Sequence, residues 1–175
     1  MKSKSKAPIR LTTTSYALLA LLDQLGEATS YDIKQALDKS IENFWPVPHT
    51  TAYEEPARLA VGGYLSVSQE PGGRRRKSYS LTEAGREALA EWAGEPVAAP
   101  PQLRDELLLK VFAGADPAGL NEGRVQWHRE KLAELEGYLA EVQAAEGWEP
   151  SERTLIAGVA YHRMMLELLD RLSER

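Results

Sequence analysis

Residues 44–81 read FWPVPHTTAYEEPARLAVGGYLSVSQEPGGRRRKSYSL. The pattern predicts a helix that ends at about residue 61, because the two glycines that follow do not continue a helix well. A strand over 64–69, a turn with four cations over 71–77 and a second strand over 78–81 come next. Helix, strand, cationic turn and strand is the order of a winged helix-turn-helix, in which the helix enters the major groove of DNA and the hairpin tip reaches the adjacent backbone. The stretch therefore predicts DNA binding.

Taken alone, the run of four cations at residues 74–77 is weak evidence for DNA binding. Such a run is more often a solvated face than a nucleic-acid site. Gly72 and Gly73 favour the functional interpretation, because they permit a tight turn that aims the cations at a single target. The order of the elements gives the prediction its specificity.

Composition excludes several classes of protein. The chain has 175 residues, of which 43% are hydrophobic, so it can build one good core or two small ones. It has no cysteine, only three histidines, no signal-peptide pattern and no apolar run long enough to span a membrane. No phosphate-binding loop, nucleophile elbow or pair of carboxylates in an apolar setting is present. We expect a cytoplasmic, nucleoid-associated protein that is not an enzyme and needs no metal or cofactor.

The net charge of −5 is unexpected for a DNA-binding protein until it is divided along the chain. Residues 1–94 hold 12 Lys and Arg against 11 Asp and Glu, which gives +1. Residues 95–175 hold 9 against 15, which gives −6, and the two sum to −5. An acidic C-terminal half repels phosphate, so attraction to DNA must come from local cationic clusters in the first half.

The first half contains two helices before the stretch already quoted. Apolar spacing predicts a helix over 13–25 that Gly26 ends. Thr29 and Asp32 have the form of a capping box, which predicts a second helix from that point. The recognition helix should start at Thr50 or Thr51, and a proline in its second turn predicts a kink or a distorted N-terminal segment.

The candidate DNA contacts lie at the exposed start of the second helix, in the first turns of the recognition helix and at the hairpin tip. They are Ser30, Tyr31, His49, Thr50, Thr51, Tyr53, Arg58, Arg74, Arg75, Arg76 and Lys77. Glu54 and Glu55 would repel phosphate if they faced DNA, so we expect them to point to solvent or to pair with Arg58.

The second half predicts a helical dimerisation domain. Residues 1–12 read as a flexible basic arm, 13–94 as the DNA-binding domain, 95–102 as a proline-rich linker and 103–175 as the helical domain. A short helix begins at residue 103, a long one begins after the N-cap Asp116 and ends at about residue 146, and Ser151 caps the last. The two long helices carry more apolar surface than they can bury on each other, which predicts a homodimer. The predicted interface residues are Leu132, Leu135, Leu139, Val142, Leu155, Val159, Leu166, Leu169 and Leu172.

Aromatic and imidazole side chains near these helices suggest a second, small-molecule site. A flat aromatic effector could stack among them, although side chains at helical spacing more often pack a core or an interface. The candidates are Trp92, Trp127, His128, Tyr138, Tyr161 and His162.

Four motifs resemble the PadR family of bacterial transcriptional regulators. They are residues 16–22 (YALLALL), 30–33 (SYDI), 43–47 (NFWPV, followed by His49 and Tyr53) and the hairpin with residues 79–86 (YSLTEAGR). The resemblance is specific over residues 13–93 and rests on helix length and order over 103–175. It implies a mainly α fold, with a two-stranded wing and a C-terminal helical domain that dimerises. It also implies a repressor that a small molecule such as a phenolic acid releases. Family members commonly carry proline at position 54 and leucine at 56, where this chain has Glu54 and Pro56.

Together these features predict a sequence-specific transcriptional regulator that binds double-stranded DNA as a homodimer on an inverted repeat. The alternative is a winged helix used for protein contacts, in which the cationic tip meets an acidic partner.

Overall fold

The structure is a computed structural model of the chain and describes residues 9–41, 44–69, 76–145 and 149–174, with the backbone alone for 149–151. The chain divides into two compact units, Met1–Ala98 and Ala99–Arg175. None of the described helices is long and apolar enough to cross a membrane.

The first unit combines four helices with one small antiparallel sheet. Its elements in chain order are α1 (Thr13–Leu25), β1 (Glu27–Thr29), α2 (Ser30–Ser40), α3 (Thr51–Val61), β2 (Leu65–Gln69), β3 (Lys77–Leu81) and α4 (Glu83–Gly94). Gly26 ends α1 with φ 74°, a conformation that glycine adopts without strain. The predicted capping box is present at α2, where Thr29 and Asp32 each accept the backbone N–H of the other. The predicted order of helices and hairpin strands is therefore confirmed.

The sheet has three strands in the order β1-β3-β2 rather than the two of a bare hairpin. The added strand is β1, in which Ala28 pairs with Tyr79 and Thr29 with Ser78. Thr29 is both the last residue of β1 and the N-cap of α2. Because Thr29 pairs with Ser78, the pairing of β1 with β3 fixes the first turn of α2 beside the turn end of the wing.

The core of the first unit lies where α1, α2 and α3 cover the sheet. Leu18, Leu19, Leu22, Ile33 and Leu59 are fully buried there. Burying a leucine or isoleucine side chain contributes about 1.5–3 kcal/mol, so this cluster supplies a large part of the stability of the unit.

The turn into α4 is attached to the turn before β2. Thr82 caps α4 by accepting from Gly85 N, and its hydroxyl and N–H both contact the carbonyl oxygen of Tyr64 at 3.0 and 3.1 Å. A side chain at Gly85 would place Cβ only 2.3 Å from that same oxygen. This close approach explains why the TEAG sequence at 82–85 needs a hydroxyl and a glycine three residues apart.

The second unit contains α5 (Glu106–Phe112), α6 (Glu122–Ala144) and α7 (Glu149–Ser173). The predicted start of the first of these at residue 103 is wrong: Leu103 lies outside the helix and is 66% exposed. Asp105 is the N-cap of α5 and accepts from Leu107 N and Leu108 N. Asp105 itself is extended, with φ −131° and ψ 112°.

Two helix starts in the second unit also differ from prediction. Asp116 accepts from Ala118 N as expected, but the turn it caps ends at Gly119, whose φ of 81° cannot continue a right-handed helix. Helix α6 therefore begins at Glu122, after Asn121. Helix α7 already begins at Glu149, so Ser151 lies inside its first turn instead of capping it.

Helices α6 and α7 pack on each other within one chain. Leu135 of α6, Val159 and Leu169 of α7 are 2%, 5% and 1% exposed. Gly158 allows close packing, because a Cβ there would sit 3.0 Å from Leu135 Cδ1. The prediction that Leu135, Val159 and Leu169 form the dimer interface is therefore wrong, since a single chain already buries them. The other six predicted interface residues remain partly exposed on the hairpin.

Candidate nucleic-acid interface

Helix α3 presents one exposed face and one buried face. Ala52, Pro56 and Leu59 point into the core, whereas Tyr53 is 51% exposed and His49 and Thr50 are exposed just before the helix starts. Thr51 is half-buried and begins the helix. Three of the four side chains predicted at its N-terminal end are thus free to meet a ligand.

Pro56 occupies the interior of α3 without ending the helix, which runs unbroken from Thr51 to Val61. The proline leaves the carbonyl of Ala52 without its usual helical N–H partner. Its ring is fully buried. Apolar burial of the ring offsets part of that cost. Position 56, where family members commonly carry leucine, therefore remains an apolar core position in this chain.

Arg58 does not face the exposed side of α3, contrary to prediction. Its Nε and Nη2 donate to the two carboxylate oxygens of Glu55 at 2.7 and 2.5 Å. Nη2 also donates to Ser15 Oγ at 2.9 Å, and Nη1 donates to the carbonyl of Arg10 at 2.9 Å. The guanidinium is thus committed to α1 and to the segment before it. The expected i,i+3 pair of Glu55 with Arg58 is confirmed.

Glu55 is the centre of this network. Besides Arg58, it accepts from Ser15 Oγ at 2.6 Å, and Ser15 is fully buried. Burial raises the pKa of the Glu55 carboxyl, but the hydrogen bonds from Arg58 and Ser15 and the charge of Arg58 outweigh that effect and hold the pKa below its usual value. Glu55 is therefore ionised at neutral pH and fixes α3 against α1.

An open cleft of ≈ 660 Å³ separates the first turn of α2 from the end of β3 that is next to the hairpin turn. Its lining includes Ser30 and Tyr31 on one side and Arg76 and Lys77 on the other, so the structure brings together four of the predicted contacts. Tyr31 is 58% exposed, and its hydroxyl accepts from Gln35 Nε2 at 2.9 Å. Two cations opposite a helix N-terminus attract anions, and the carboxylate of Asp32, which also lines the cleft, offsets part of that attraction. The predicted contacts Arg74 and Arg75 fall outside the described residues.

The effector candidates have different neighbours within their own units. Trp127, His128, Tyr161 and His162 form one cluster in the second unit, with ring centroids between 4.8 and 6.1 Å apart. Tyr138 is not in contact with that cluster; its hydroxyl donates to Glu134 at 3.3 Å. Trp92 belongs to the first unit, where it stacks on Tyr16 at 4.7 Å with ring planes 3° apart. Four of the six candidates therefore form one cluster, and Tyr138 and Trp92 each contact other residues.

The two histidines of the cluster satisfy one nitrogen each. His128 Nδ1 and His162 Nδ1 lie 2.8 Å apart, so one ring donates and the other accepts. Both rings are 1% exposed, and both Nε2 atoms are buried with no hydrogen-bond partner among the described residues. Burial lowers the pKa of each imidazole, and the positive charges of nearby groups lower it further. The pair is neutral at pH 7.

Sequence reasoning missed part of the exposed face of α3. Ala57 and Val61 lie on it with Tyr53, and Val61 is 54% exposed. Their spacing of four residues places all three on one side of a helix, which was the available signal. Among the described residues, no group of three or more His, Cys, Asp or Glu side chains could hold a metal ion.

The exposed face of α3, the antiparallel wing and the cleft between α2 and the wing define a winged helix-turn-helix protein. The model of the transcriptional regulator PadR-like family matches residues 18–91, which span α1 to α4. Over these residues the first unit is similar to PadR-like transcriptional regulators.

Comparison with individual proteins extends the similarity beyond the first unit. The chain is 27% identical over 137 residues to the negative transcriptional regulator PadR of Bacillus subtilis, covering 74% of this chain and 75% of that protein. The crystal structure of B. subtilis PadR in complex with operator DNA matches with a TM-score of 0.80 at 21% identity, over 95% of this chain and 99% of the other. PadR in complex with p-coumaric acid matches with a TM-score of 0.73 at 21% identity, over 93% and 98% of the two chains. At these identities the solved structures show a shared fold.

Proposed function

We propose that this protein is a repressor that binds an inverted-repeat operator as a homodimer and is released by a small aromatic effector. The observation that carries the proposal is the joint exposure of the first turns of α3 and of the cationic cleft beside the wing. The fold shared with the operator complex of B. subtilis PadR supports it.

In this proposal each part of the first unit has one role. His49, Thr50, Thr51 and Tyr53 meet base edges in the major groove, because the N-terminal end of a recognition helix enters the groove first. Ser30 and Tyr31 hold a backbone phosphate at the start of α2. The cations at 74–77 bind the neighbouring backbone or the minor groove, and they add affinity without reading sequence.

The second unit would dimerise, and the first would bind DNA. The proposed domains are the basic arm 1–12, the DNA-binding domain 13–94, the linker 95–102 and the helical domain 103–175. Apolar side chains that a monomer leaves exposed support dimerisation: Ile156, Met164 and Trp127 are 49%, 55% and 47% exposed. Two recognition helices about 34–36 Å apart would fit one face of an inverted repeat. Such a protein would reside in the cytoplasm, associated with the nucleoid.

The cluster of Trp127, His128, Tyr161 and His162 is the candidate effector site. Trp127 and Tyr161 are 47% and 39% exposed and could stack on a flat ring. The p-coumaric acid complex of B. subtilis PadR makes an aromatic acid the first ligand to test. In one conformation of the dimer the two wings are spaced to fit the operator, and in another they are not. An effector releases DNA only if it binds the second conformation more tightly than the first.

Footprinting on the DNA upstream of the gene for this protein tests the proposal. We expect two protected half-sites with centres about one helical turn apart, and loss of protection when Tyr53→Ala is introduced. Protection of one half-site only would contradict dimeric binding. No protection at any concentration would contradict the proposed operator function.

The alternative, a winged helix that contacts proteins, makes a different prediction about salt. If the cations neutralise DNA phosphates, log affinity for a duplex falls with log salt concentration by about 0.9 for each phosphate contact. A flat dependence, or no duplex binding at low salt, would favour the acidic protein partner.

A further inference from the structure

The charges of α3 are divided between its two sides. The structure describes every residue of α3, and the side chains of α3 that are charged at pH 7 are Glu54, Glu55 and Arg58. Glu55 and Arg58 pair with each other and with Ser15 on the side that faces α1. Their charges therefore do not reach the exposed face, and Glu54 is the charged residue left to consider.

Glu54 lies on the exposed face of the helix. Glu54 lies one turn after Thr50, three residues before Ala57 and seven before Val61. These three residues and Glu54 are all exposed. Side chains at these spacings share one side of a helix. Among the residues that the structure describes, no side chain forms a salt bridge with the Glu54 carboxylate or donates a hydrogen bond to it. A free carboxylate therefore stands beside Tyr53 in the first turn.

A free carboxylate in this position is unfavourable for general DNA binding, because phosphates repel it. Most base edges in the major groove repel it too. Guanine presents two acceptors, thymine one acceptor, and adenine an acceptor beside its amino group. Cytosine presents an amino donor, which Glu or Asp can accept. The adenine amino group lies beside the N7 acceptor, whereas the cytosine amino group has no acceptor beside it on the same base, so cytosine best compensates the electrostatic cost of this side chain.

We propose that Glu54 is a specificity-determining residue that accepts a hydrogen bond from the amino group of a cytosine in each half-site. The inference rests on the proposed function, and it names one element of the operator that the fold alone does not. Discrimination would come both from the cytosine contact and from repulsion of the other bases. A side chain that rejects wrong bases lowers non-specific binding as well.

Selection from a pool of randomised duplexes tests this assignment, with wild type, Glu54→Ala and Glu54→Gln compared in parallel. Wild type should enrich cytosine at one position of each half-site, by at least about fivefold over any other base. Glu54→Ala should lose the preference at that position alone. Glu54→Gln should exchange cytosine for adenine, because a carboxamide can both donate to and accept from the adenine edge.

Glu87→Gln is the matched control. Glu87 is exposed on α4, so its substitution removes the same charge from the same unit without touching α3. It should leave the selected sequence unchanged. Binding of Glu54→Ala to a scrambled duplex should be no weaker than that of wild type, since a repulsive charge has been removed.

The outcomes separate this inference from the function beneath it. If wild type and both Glu54 variants enrich the same base at every position, Glu54 does not read DNA, although the operator function stands. If wild type enriches no sequence at all, both the proposed operator function and this inference are wrong.

Discussion

At the level of single residues, the network around Glu55 changes the role of the recognition helix. A guanidinium in the middle of such a helix suggests base recognition, yet Arg58 donates to Glu55, Ser15 and the Arg10 carbonyl. The ion pair is partly buried, with the Glu55 side chain 12% exposed, and both partners also hydrogen-bond to Ser15, 40 positions before Glu55 and 43 before Arg58. Its role is to hold α3 against α1, and the specific contacts are left to its neighbours.

Replacing Arg58 with alanine should therefore destabilise the first unit rather than change which DNA it selects. The substitution leaves the Glu55 carboxylate without its strongest partner, which costs about 1–3 kcal/mol in the free energy of unfolding at pH 7. The pKa of Glu55 in the folded protein is depressed, so the stabilisation is present above its unfolded pKa and is lost as pH falls through the folded value. Urea unfolding at several pH values should show the penalty of Arg58→Ala shrinking in acid.

Lys39→Ala is the control for that experiment, because Lys39 is an exposed cation on α2 and its removal should change stability by less than about 0.5 kcal/mol. An Arg58→Ala protein as stable as wild type that no longer selects its sequence would show that the guanidinium reads DNA after all.

At the level of elements, short turns set the position of the long ones. Thr29 links β1 to α2 and so places the first turn of α2 at the wing. Thr82 and Gly85 attach α4 to the Tyr64 carbonyl. In the second unit, Asp105 caps α5 and forms two hydrogen bonds of 2.6 Å with Arg124 of α6. Each turn joins two elements through one polar side chain.

Gly85→Ala tests the attachment of α4. The new Cβ would lie 2.3 Å from the Tyr64 oxygen and 2.8 Å from Leu81 Cδ2, so the backbone must shift, at a cost of about 1–3 kcal/mol or more. Thermal unfolding should show a lower midpoint. Gly94→Ala in the same helix is the matched control, since nothing lies within 4 Å of its Cβ, and it should melt at or slightly above the wild-type temperature. Equal melting temperatures for the two variants would contradict the close contact.

The buried histidine pair makes the α6–α7 hairpin sensitive to pH. Burial depresses the pKa of His128 and His162, and Arg124 and Lys131 oppose a further positive charge, while Asp105 favours one at His128. Because the folded pKa lies below the unfolded value of about 6.5, the stability is present above that value and is lost as pH falls through the folded pKa.

Replacing both histidines with leucine should remove this dependence. Between pH 8 and pH 5, the thermal midpoint of wild type should fall further than that of the double variant, which buries two apolar groups instead of a half-satisfied polar pair. Parallel curves for the two proteins over this range would show that the pair does not titrate on unfolding.

At the level of the whole molecule, the cationic run and the half-exposed apolar side chains of α7 lie in different halves of the chain. The first half carries +1 and contains the cationic run, while the second carries −6 and contains the half-exposed side chains of α7. An acidic unit that repels phosphate is suited to joining two copies, and a nearly neutral unit with local cations is suited to DNA.

Ile156→Glu should weaken the proposed dimer, because it introduces a charge on a face that we expect a second copy to cover. Sedimentation equilibrium should show at least about a tenfold larger dimer dissociation constant than wild type. Ala90→Glu, which adds the same charge at an exposed position of α4, should leave the association unchanged. Dissociation by both variants to the same extent would point to charge alone, and a monomeric wild type would contradict the dimer.

Much of the first unit could be predicted from sequence, because its boundaries are set by local chemistry. Gly26 ends α1, and the Thr29 and Asp32 side chains start α2 through contacts three residues apart. What escaped prediction depends on distant partners. Strand β1 is only three residues long and forms through its pairing with β3. Arg58 donates a hydrogen bond to Ser15, which lies 43 positions earlier in the chain.

The second unit was harder to predict for two physical reasons. An apolar repeat at helical spacing has the same pattern whether the helix packs on its own chain or on a second one, so Leu135, Val159 and Leu169 were assigned to the wrong partner. The Asp116 turn has the residues of a helix start, but Gly119 diverts the backbone before a helix forms. The candidate contacts on DNA, all of which lie in the first unit, remain predictions.

The salt dependence of duplex binding, measured for wild type and for a variant with Arg74, Arg75, Arg76 and Lys77 all changed to alanine, tests the central claim most directly. If the hairpin tip binds phosphates, the variant should bind more weakly, and the slope of log affinity against log salt should become shallower by about 0.9 for each phosphate that the tip no longer neutralises. An unchanged affinity and an unchanged slope would contradict the account, because the cations would then have no part in holding DNA.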